Sequence, residues 1–212
     1  SGMISRQGTI KIELADFIDE DTKLKENKLT DSTLLDGIFS FEPEIKGKAV
    51  WSDARTIEFI PDEPLASNQF YNAEFDLERL MTVADGLESF PFQFASYQQK
   101  IYVETYSLQN FSEYNIEWQQ LNGKMTISDY EDTSLLKKVL KATQDGKELP
   151  ITINPNEYRD NEYNFVVDSI QRKKNEGKVI LTWNGEPINS MSKGKKVTEV
   201  GALGDFTVES AK

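Results

Sequence analysis

The sequence predicts an all-β protein made of two tandem β-sandwich domains, the second of which carries one inserted helix. Short apolar runs recur along all 212 residues and are separated by Pro, Gly, Asp and Asn. Six or seven such runs fall within the first ~100 residues, which is the size and rhythm of an immunoglobulin-like sandwich. Helical spacing of apolar residues is confined to a stretch near residues 132–143.

Composition excludes several kinds of chemistry. The chain contains no Cys and no His, which rules out thiol nucleophiles, disulfides, Cys/His zinc sites and His-dependent triads. Hydrophobic residues make up 38% and aromatic residues 11% of the chain, which is typical of packed cores rather than of disorder. No apolar run approaches the ~18 residues of a membrane-spanning helix. We therefore expect no cofactor, no metal and no direct membrane insertion.

The net charge of −12 is concentrated in the first half of the chain. Residues 1–97 hold 9 basic and 19 acidic side chains, whereas residues 98–212 hold 15 and 17. An acidic surface repels both the phosphate backbone of nucleic acid and anionic lipid. Nucleic acid is therefore not an expected partner.

The first domain is predicted over residues 3–97. Thr9–Leu14 alternates apolar and polar residues, as a half-buried strand does. Phe39–Leu77 has the densest strand signals of the chain, and its Pro, Gly and Asp residues predict tight turns between successive antiparallel strands. Ser89–Ala95 alternates three Phe residues with polar or small ones and predicts a closing strand.

Several side chains of the first domain have specific expected roles. Leu65 should be buried within a polar connection. Trp51 and Phe59 are expected to face each other across a hairpin and fill the core. Tyr71 is expected to hydrogen-bond a neighbouring backbone group, as a tyrosine corner does. Gly47 is expected to permit a turn.

One acidic segment could hold a metal ion. Asp16, Asp19, Glu20 and Asp21 lie close together, and Ca²⁺ prefers several carboxylate ligands in a loop. The spacing does not match an EF-hand and lacks its central Gly. We therefore favour a solvated loop for this segment and assign no metal ligand.

The second domain is predicted over residues 98–212. Lys100–Tyr106 and Tyr114–Leu121 read as strands, and Asn122-Gly123 is a strong signal for a two-residue hairpin turn. Asn184-Gly185 is a similar turn signal. Further strands are predicted at Leu149–Ile153, Glu162–Val167, Lys178–Trp183, Lys195–Val200 and Asp205–Val208.

The inserted helix is predicted near residues 132–143. The apolar residues of Leu135–Leu140 recur at helical spacing, with lysines on the opposite side. Asp132 is the expected N-terminal cap, and Asp145-Gly146 is the expected stop.

A search for chemistry assigns no catalytic, cofactor-binding or metal-binding residue. There is no Gly-rich phosphate loop, dinucleotide fingerprint or nucleophile elbow. The 36 acidic residues offer many carboxylate pairs, but none is set apart as a glycosidase pair. Trp51, Trp118 and Trp183 could form a carbohydrate platform, although core packing is the commoner fate of Trp within strands. Arg172–Lys174 could bind a partner, but three charges at a turn are usually solvated.

Two stretches of the chain resemble a known family. Phe39–Trp51, Asp53–Pro61 and Pro64-Leu65 follow the pattern F-x-P-x-I/V-x-G-x-x-x-W…D-x-R-T-I/L-x-F-x-P-x-x-P-L. This resembles the immunoglobulin-like domain at the N-terminus of bacterial alpha-2-macroglobulins, and of some S-layer-type surface proteins. The tail, Leu181–Ile188 and Val200–Phe206, resembles the macroglobulin-like domain that follows in alpha-2-macroglobulins of Bacteroidetes-type bacteria.

The resemblance implies a function for the parent protein. Alpha-2-macroglobulins are cell-envelope inhibitors that entrap proteases, many with a Cys–Gln thioester that cannot lie in a chain without Cys. The chain would then be a non-catalytic N-terminal scaffold fragment. Its partners would be other domains of the same protein and, through the parent, proteases. Its location would be the periplasm or cell surface, with a lipid anchor on the full-length protein.

An alternative is an adhesion or carbohydrate-binding module of a bacterial surface protein. For any direct partner, the expected mode is addition of a strand to an exposed sheet edge.

Overall fold

In a computed structural model, the chain divides into two compact units, Ser1–Gln98 and Gln99–Lys212. The structure describes residues 2–14, 35–53, 55–80 and 83–204. The acidic segment with Asp16, Asp19, Glu20 and Asp21, the predicted strand Asp205–Val208 and the end of the macroglobulin-like tail lie outside the described residues.

The first unit has the strand order of an immunoglobulin domain. One sheet runs β1-β7-β6-β3 and the other β2-β5-β4. In immunoglobulin letters these are A′GFC and BED, and β1 runs parallel to β7 as an A′ strand runs beside G. The strands are β1 Gly2–Ile4, β2 Ile10–Glu13, β3 Phe39–Glu42, β4 Gly47–Trp51, β5 Thr56–Pro61, β6 Phe70–Asp76 and β7 Ser89–Ser96.

The second unit has eight described strands in two sheets. Their orders, β12-β13-β9-β8 and β11-β10-β14-β15, correspond to DEBA and C′CFG in the same letters. The all-β prediction of two tandem immunoglobulin-like sandwiches is therefore confirmed. The strands are β8 Ile101–Ser112, β9 Asn115–Ile127, β10 Leu140–Gln144, β11 Lys147–Leu149, β12 Ile151–Pro155, β13 Glu162–Gln171, β14 Gly177–Asn184 and β15 Lys193–Val200.

Aromatic rings join the two sheets of the first unit. Phe39 and Phe41 on β3 lie with their ring centroids 5.6 and 4.7 Å from that of Phe59 on the opposite sheet. Phe75 on β6 is fully buried, 4.9 Å from Phe39. The core of the first unit is thus built from the stretch with the densest strand signals.

The connection from β5 to β6 is held by backbone and side-chain hydrogen bonds. Leu65 is buried, and its carbonyl accepts a 2.8 Å bond from Nε of the buried Arg6. The Ala66 N–H donates to the Tyr71 hydroxyl at 3.3 Å, and the Ser96 hydroxyl donates to the Ala66 carbonyl. Tyr71 stands near the start of the F strand, so the tyrosine corner and the buried Leu65 are both confirmed.

Replacing Tyr71 by Phe should lower the free energy of unfolding by about 1 kcal/mol, because the Ala66 N–H loses its acceptor. Urea unfolding measures the change. Tyr158→Phe is the control, since Tyr158 is 90% exposed and surface changes stay within about 0.5 kcal/mol. Equal stability of the two variants would contradict a structural role for the corner.

Trp51 and Phe59 do not face each other as predicted. Trp51 pairs with Ile57, and Phe59 pairs with Ala49. The ring of Phe59 lies against Gly47 instead, where an added Cβ would be 2.7 Å from it. Gly47 is the first residue of β4. Its missing side chain leaves room for that ring, and it does not form the expected turn.

The predicted helix near 132–143 is largely wrong. The observed helix α1 spans Thr133–Leu136, and Leu140–Gln144 forms strand β10 between β11 and β14. The alternating residues Leu140, Ala142 and Gln144 are buried, so sheet packing overrides the helical spacing. The cap is confirmed, since the Asp132 carboxylate accepts a 2.7 Å bond from the Ser134 N–H. That bond also lowers the Asp132 pKa.

Two of the Gly-containing turn signals do not have the predicted roles. Asn122-Gly123 lies inside the continuous strand β9, and the hairpin turn falls at Glu113-Tyr114. Asp145-Gly146, expected to stop a helix, forms the turn between β10 and β11. Both of its residues have positive φ, 51° and 78°, which is the conformation of a type I′ hairpin turn.

Glu58 on β5 is stabilised as a carboxylate. It accepts a bond from the Thr9 hydroxyl, and Lys11 Nζ lies 3.3 Å from its Oε1. The Thr9 bond first, and Lys11 second, lower the Glu58 pKa from its usual 4.5. Since the pKa is lower in the folded state, this stabilisation is complete above the unfolded pKa and is lost as the pH falls through the folded pKa.

Glu58→Gln should therefore reduce stability at pH 7 by roughly 1 kcal/mol, and the difference from the unmodified chain should shrink below about pH 4. Urea unfolding at pH 7, 5 and 3 measures this dependence. Thr9→Val removes the main donor and should reproduce part of the effect. A difference that stays constant down to pH 3 would disprove the assignment.

Candidate binding surface on the β8–β9 hairpin

The buried polar side chains of the second unit hold loops in place. The Gln99 amide donates to the Asp129 carbonyl at 2.9 Å and accepts from the Asp129 N–H at 3.0 Å. The Ser190 hydroxyl donates to the Gln99 carbonyl at 2.7 Å, and the Tyr163 hydroxyl donates to the Glu131 carbonyl at 3.1 Å. Burial raises the pKa of Tyr163. These hydrogen bonds serve the backbone rather than an open site.

Within the described ranges, no group of three or more acidic residues is placed to hold a metal ion. The same ranges contain no helix that is long and apolar enough to cross a membrane.

The residues of the basic triplet Arg172–Lys174 differ in their contacts. The Arg172 guanidinium donates to the Gly201 and Ala202 carbonyls at 3.3 and 2.6 Å, and Lys173 Nζ lies 2.6 Å from Asp145 Oδ2. Arg172 thus holds the residues after β15, whereas Lys173 and Lys174 are exposed, as the sequence indicated.

The first unit has an open cleft of about 500 Å³. Pro43, Lys46, Glu63 and Tyr71 are among its lining residues. The Tyr71 hydroxyl already accepts the Ala66 N–H, and the cleft follows the loops that close the sandwich. We assign it no ligand.

The three Trp residues differ in their surroundings. Trp51 and Trp183 are half-buried and pack against the cores of the first and second units, respectively. Trp118 on β9 is 37% exposed. Core packing, expected for all three, is therefore wrong for Trp118.

The hairpin that carries Trp118 has an unusual composition. Residues 105–123 include two charged side chains, Glu113 and Glu117, although 28% of the whole chain is charged. The same nineteen positions contain six Asn or Gln residues and four aromatic residues. A surface strand pair in an acidic protein is thus almost uncharged.

Pairing defines which side chains share the outer face of this hairpin. Leu121 and Gly123 of β9 are buried, so the residues between and beside them point outward. Leu108 pairs with Leu121, and Asn110 pairs with Gln119. Alternation then places on one outer face, which we call the hairpin face, Tyr106, Gln109, Phe111, Trp118, Gln120 and Asn122.

The hairpin face combines rings and amides along both strands. Asn110 pairs with Gln119, so Phe111 and Trp118, the next residues on each side, lie on facing strands where the register begins to shift. The Asn122 amide donates to Gln109 Oε1 at 2.9 Å, which fixes both amides between Tyr106 and the Phe111–Trp118 rings. At ~3.3 Å per residue, the face is roughly 15 Å long.

The sheet edges are poorly suited to strand addition. Edge strand β8 shifts register twice against β9, between Thr105 and Leu108 and between Asn110 and Ser112, and bulges interrupt the ladder a partner strand would need. Edge strand β15 carries Lys193, Lys195 and Lys196, and lysines at an edge discourage pairing. The six other described edge strands, β1–β4, β11 and β12, have three to five residues each. These features favour a binding role for the hairpin face over an edge.

No protein-family model matches the chain, and no curated protein matches it. Among solved structures, the chain is similar to a chimeric titin Z1Z2 functionalised with an exogenous peptide from decorin, at 14% identity and a TM-score of 0.35. That match covers 79% of this chain and 82% of the other. A tandem pair of titin immunoglobulin domains matches at 15% identity and a TM-score of 0.27, covering 74% and 73%. The immunoglobulin-like assignment rests on the strand orders above.

Proposed function

We propose that this chain is a non-catalytic scaffold segment of a bacterial alpha-2-macroglobulin, an envelope protein that entraps proteases. The support is the residue pattern of Phe39–Leu77. Its members occupy defined positions: Gly47 makes room for the Phe59 ring, and the connection after Pro61 buries Leu65 and reaches the tyrosine corner. The family pattern is thus also a pattern of structural requirements.

In this proposal the chain contributes rigid domains, and the reactive parts lie elsewhere in the parent. Proteases would be partners of the parent, and other domains of that protein would be partners of these two units. The parent would be exported to the periplasm or cell surface and anchored there by lipid.

Entrapment is tested on the full-length parent protein. After incubation with trypsin, cleavage of a large protein substrate should fall strongly, while cleavage of a small chromogenic peptide should persist. The two-domain chain alone is the control and should protect neither substrate. Unchanged cleavage of the large substrate would refute the proposal.

The hairpin face favours a second candidate function, a recognition module that attaches its protein to a surface. Exposed aromatic residues that are not needed for a core commonly mark binding sites. Fluorescently labelled chain should bind intact bacterial cells, and Trp118→Ala together with Phe111→Ala should abolish that binding. Tyr158→Ala should leave it unchanged, because Tyr158 is an exposed aromatic residue in the loop between β12 and β13. Binding that survives the double change would exclude the hairpin face.

A further inference from the structure

We infer that the hairpin face binds an uncharged polysaccharide. This inference rests on the second candidate function and names its ligand. It does not depend on the protease-entrapment proposal, because the residues of the face, on β8 and β9, are not among those that carry the family resemblance.

The chemistry of the face selects this ligand class. Rings such as Phe111, Trp118 and Tyr106 offer flat apolar surfaces on which the C–H face of a sugar ring can stack. Amides of Gln109, Gln120 and Asn122 supply both donors and acceptors, as sugar hydroxyls do. The outer face contains three rings and three amides, and this mixture of stacking and hydrogen-bonding groups suits a chain of repeating units.

Charge argues for a neutral ligand. The six residues of the hairpin face carry no formal charge. At its inner end, the face is bordered by Glu104, whose carboxylate lies 3.6 Å from Lys124 Nζ. The nearest acidic side chains in sequence, Glu113 and Glu117, are exposed and would repel an anionic polysaccharide. An uncharged glycan avoids both the repulsion and the desolvation of an unpaired charge.

The face is also arranged before any ligand arrives. The bond between Asn122 and Gln109 leaves free polar atoms on both amides, and the pairing of β8 with β9 fixes the strands that carry Phe111 and Trp118. Binding therefore orders few side chains, which lowers its entropic cost. A protein strand, by contrast, would need the edge of β8, where two register shifts break the hydrogen-bonding ladder.

Affinity electrophoresis of the purified chain tests the inference. Native gels contain mixed-linkage β-glucan, xylan, galactomannan or soluble starch, with polygalacturonate as the anionic counterpart. At least one neutral polysaccharide should retard the chain. Trp118→Ala and Phe111→Ala should each raise the concentration for half-maximal retardation by about tenfold or more, as expected for aromatic anchors. Trp118→Phe should retain part of the retardation, and Tyr158→Ala all of it.

Three outcomes would overturn the inference. They are retardation by none of the neutral polysaccharides, retardation that Trp118→Ala and Phe111→Ala leave unchanged, and retardation by polygalacturonate alone. Sedimentation of the chain supplies a further check, because a dimer that Phe111→Ala dissociates would show that a second copy occupies the face.

Periodate treatment of cells separates this inference from the recognition role itself. Periodate cleaves the vicinal diols of sugars and leaves most protein side chains intact. If labelled chain binds cells through the hairpin face, and binding survives periodate but is lost after protease treatment of the cells, the ligand is a protein and the glycan inference is wrong. Loss of binding after periodate supports it.

Discussion

Phe75→Ala should lower the free energy of unfolding of the first unit by about 4 kcal/mol. The Phe75 ring is fully buried and packs edge-on against Phe39 at 4.9 Å. Removing it leaves a cavity between the two sheets, beneath β3 and β6, that rigid neighbouring rings cannot refill. Urea unfolding measures the change, with hydrogen exchange of peptides from Phe39–Leu77 to locate it.

Phe90→Ala is the matched control for this prediction. Phe90 is the register partner of Phe75 on β7, yet it is 51% exposed. Its truncation should cost about 1 kcal/mol or less, since little buried surface is lost. Similar losses for the two variants would mean that the aromatic cluster is not the core of the unit.

Gly123→Ala should destabilise the second unit by about 3 kcal/mol. An added Cβ would lie 2.2 Å from the Phe165 ring and 2.5 Å from the Glu104 carbonyl oxygen. The carbonyl belongs to the paired strand β8 and cannot move without breaking the ladder. Phe165 is itself buried, so its ring has no space into which to withdraw. Thermal unfolding of the variant measures the loss.

Gly177→Ala is the control for the Gly123 prediction. Gly177 is also a strand residue, the first of β14, but an added Cβ there would make ordinary contacts at 3.7 Å or more. It should be neutral or stabilise by about 0.5 kcal/mol, because Ala restricts the unfolded chain. Combining Gly123→Ala with Phe165→Leu should cost less than the sum of the single changes. Additive costs would show that the ring is not the source of the clash.

The sequence was sufficient for the fold class but not for every element. Alternating apolar residues in β6 and β7 predict strands because one sheet face is buried. The apolar residues of Leu135–Leu140 recur at helical spacing and so predict a helix. Only the pairing of β10 with β14 shows that the chain from Leu140 onward is a strand. That partner lies some forty positions away, so local spacing could not reveal it.

Turn chemistry was ambiguous for a similar reason. Asn122-Gly123 and Asp145-Gly146 have the same kind of sequence, but only the second adopts the left-handed conformation. Gly123 is required by a contact instead, since Phe165 covers it from the neighbouring strand. A dipeptide does not distinguish a Gly needed for its dihedral angles from a Gly needed for its missing side chain.

The candidate site was missed for a different reason. Period-two alternation shows that Trp118 lies on one face of a strand, but it does not show whether solvent or a second sheet covers that face. A signal was nonetheless present, because residues 105–123 are depleted of charge. In an acidic protein, an uncharged segment rich in aromatic and amide residues could have been identified as a surface set apart for binding.

If the protein is tethered to a surface, as proposed above, its edge strands also bear on how densely copies can be packed. Molecules tethered side by side on a surface meet at high local concentration, where unprotected β-strands tend to fuse into continuous sheets. Here the two longer edges are interrupted by register shifts between β8 and β9 and by lysines on β15, while the other described edge strands are short. Neighbouring copies should therefore slide past one another without polymerising, which would let a dense coat of this protein remain a population of separate molecules.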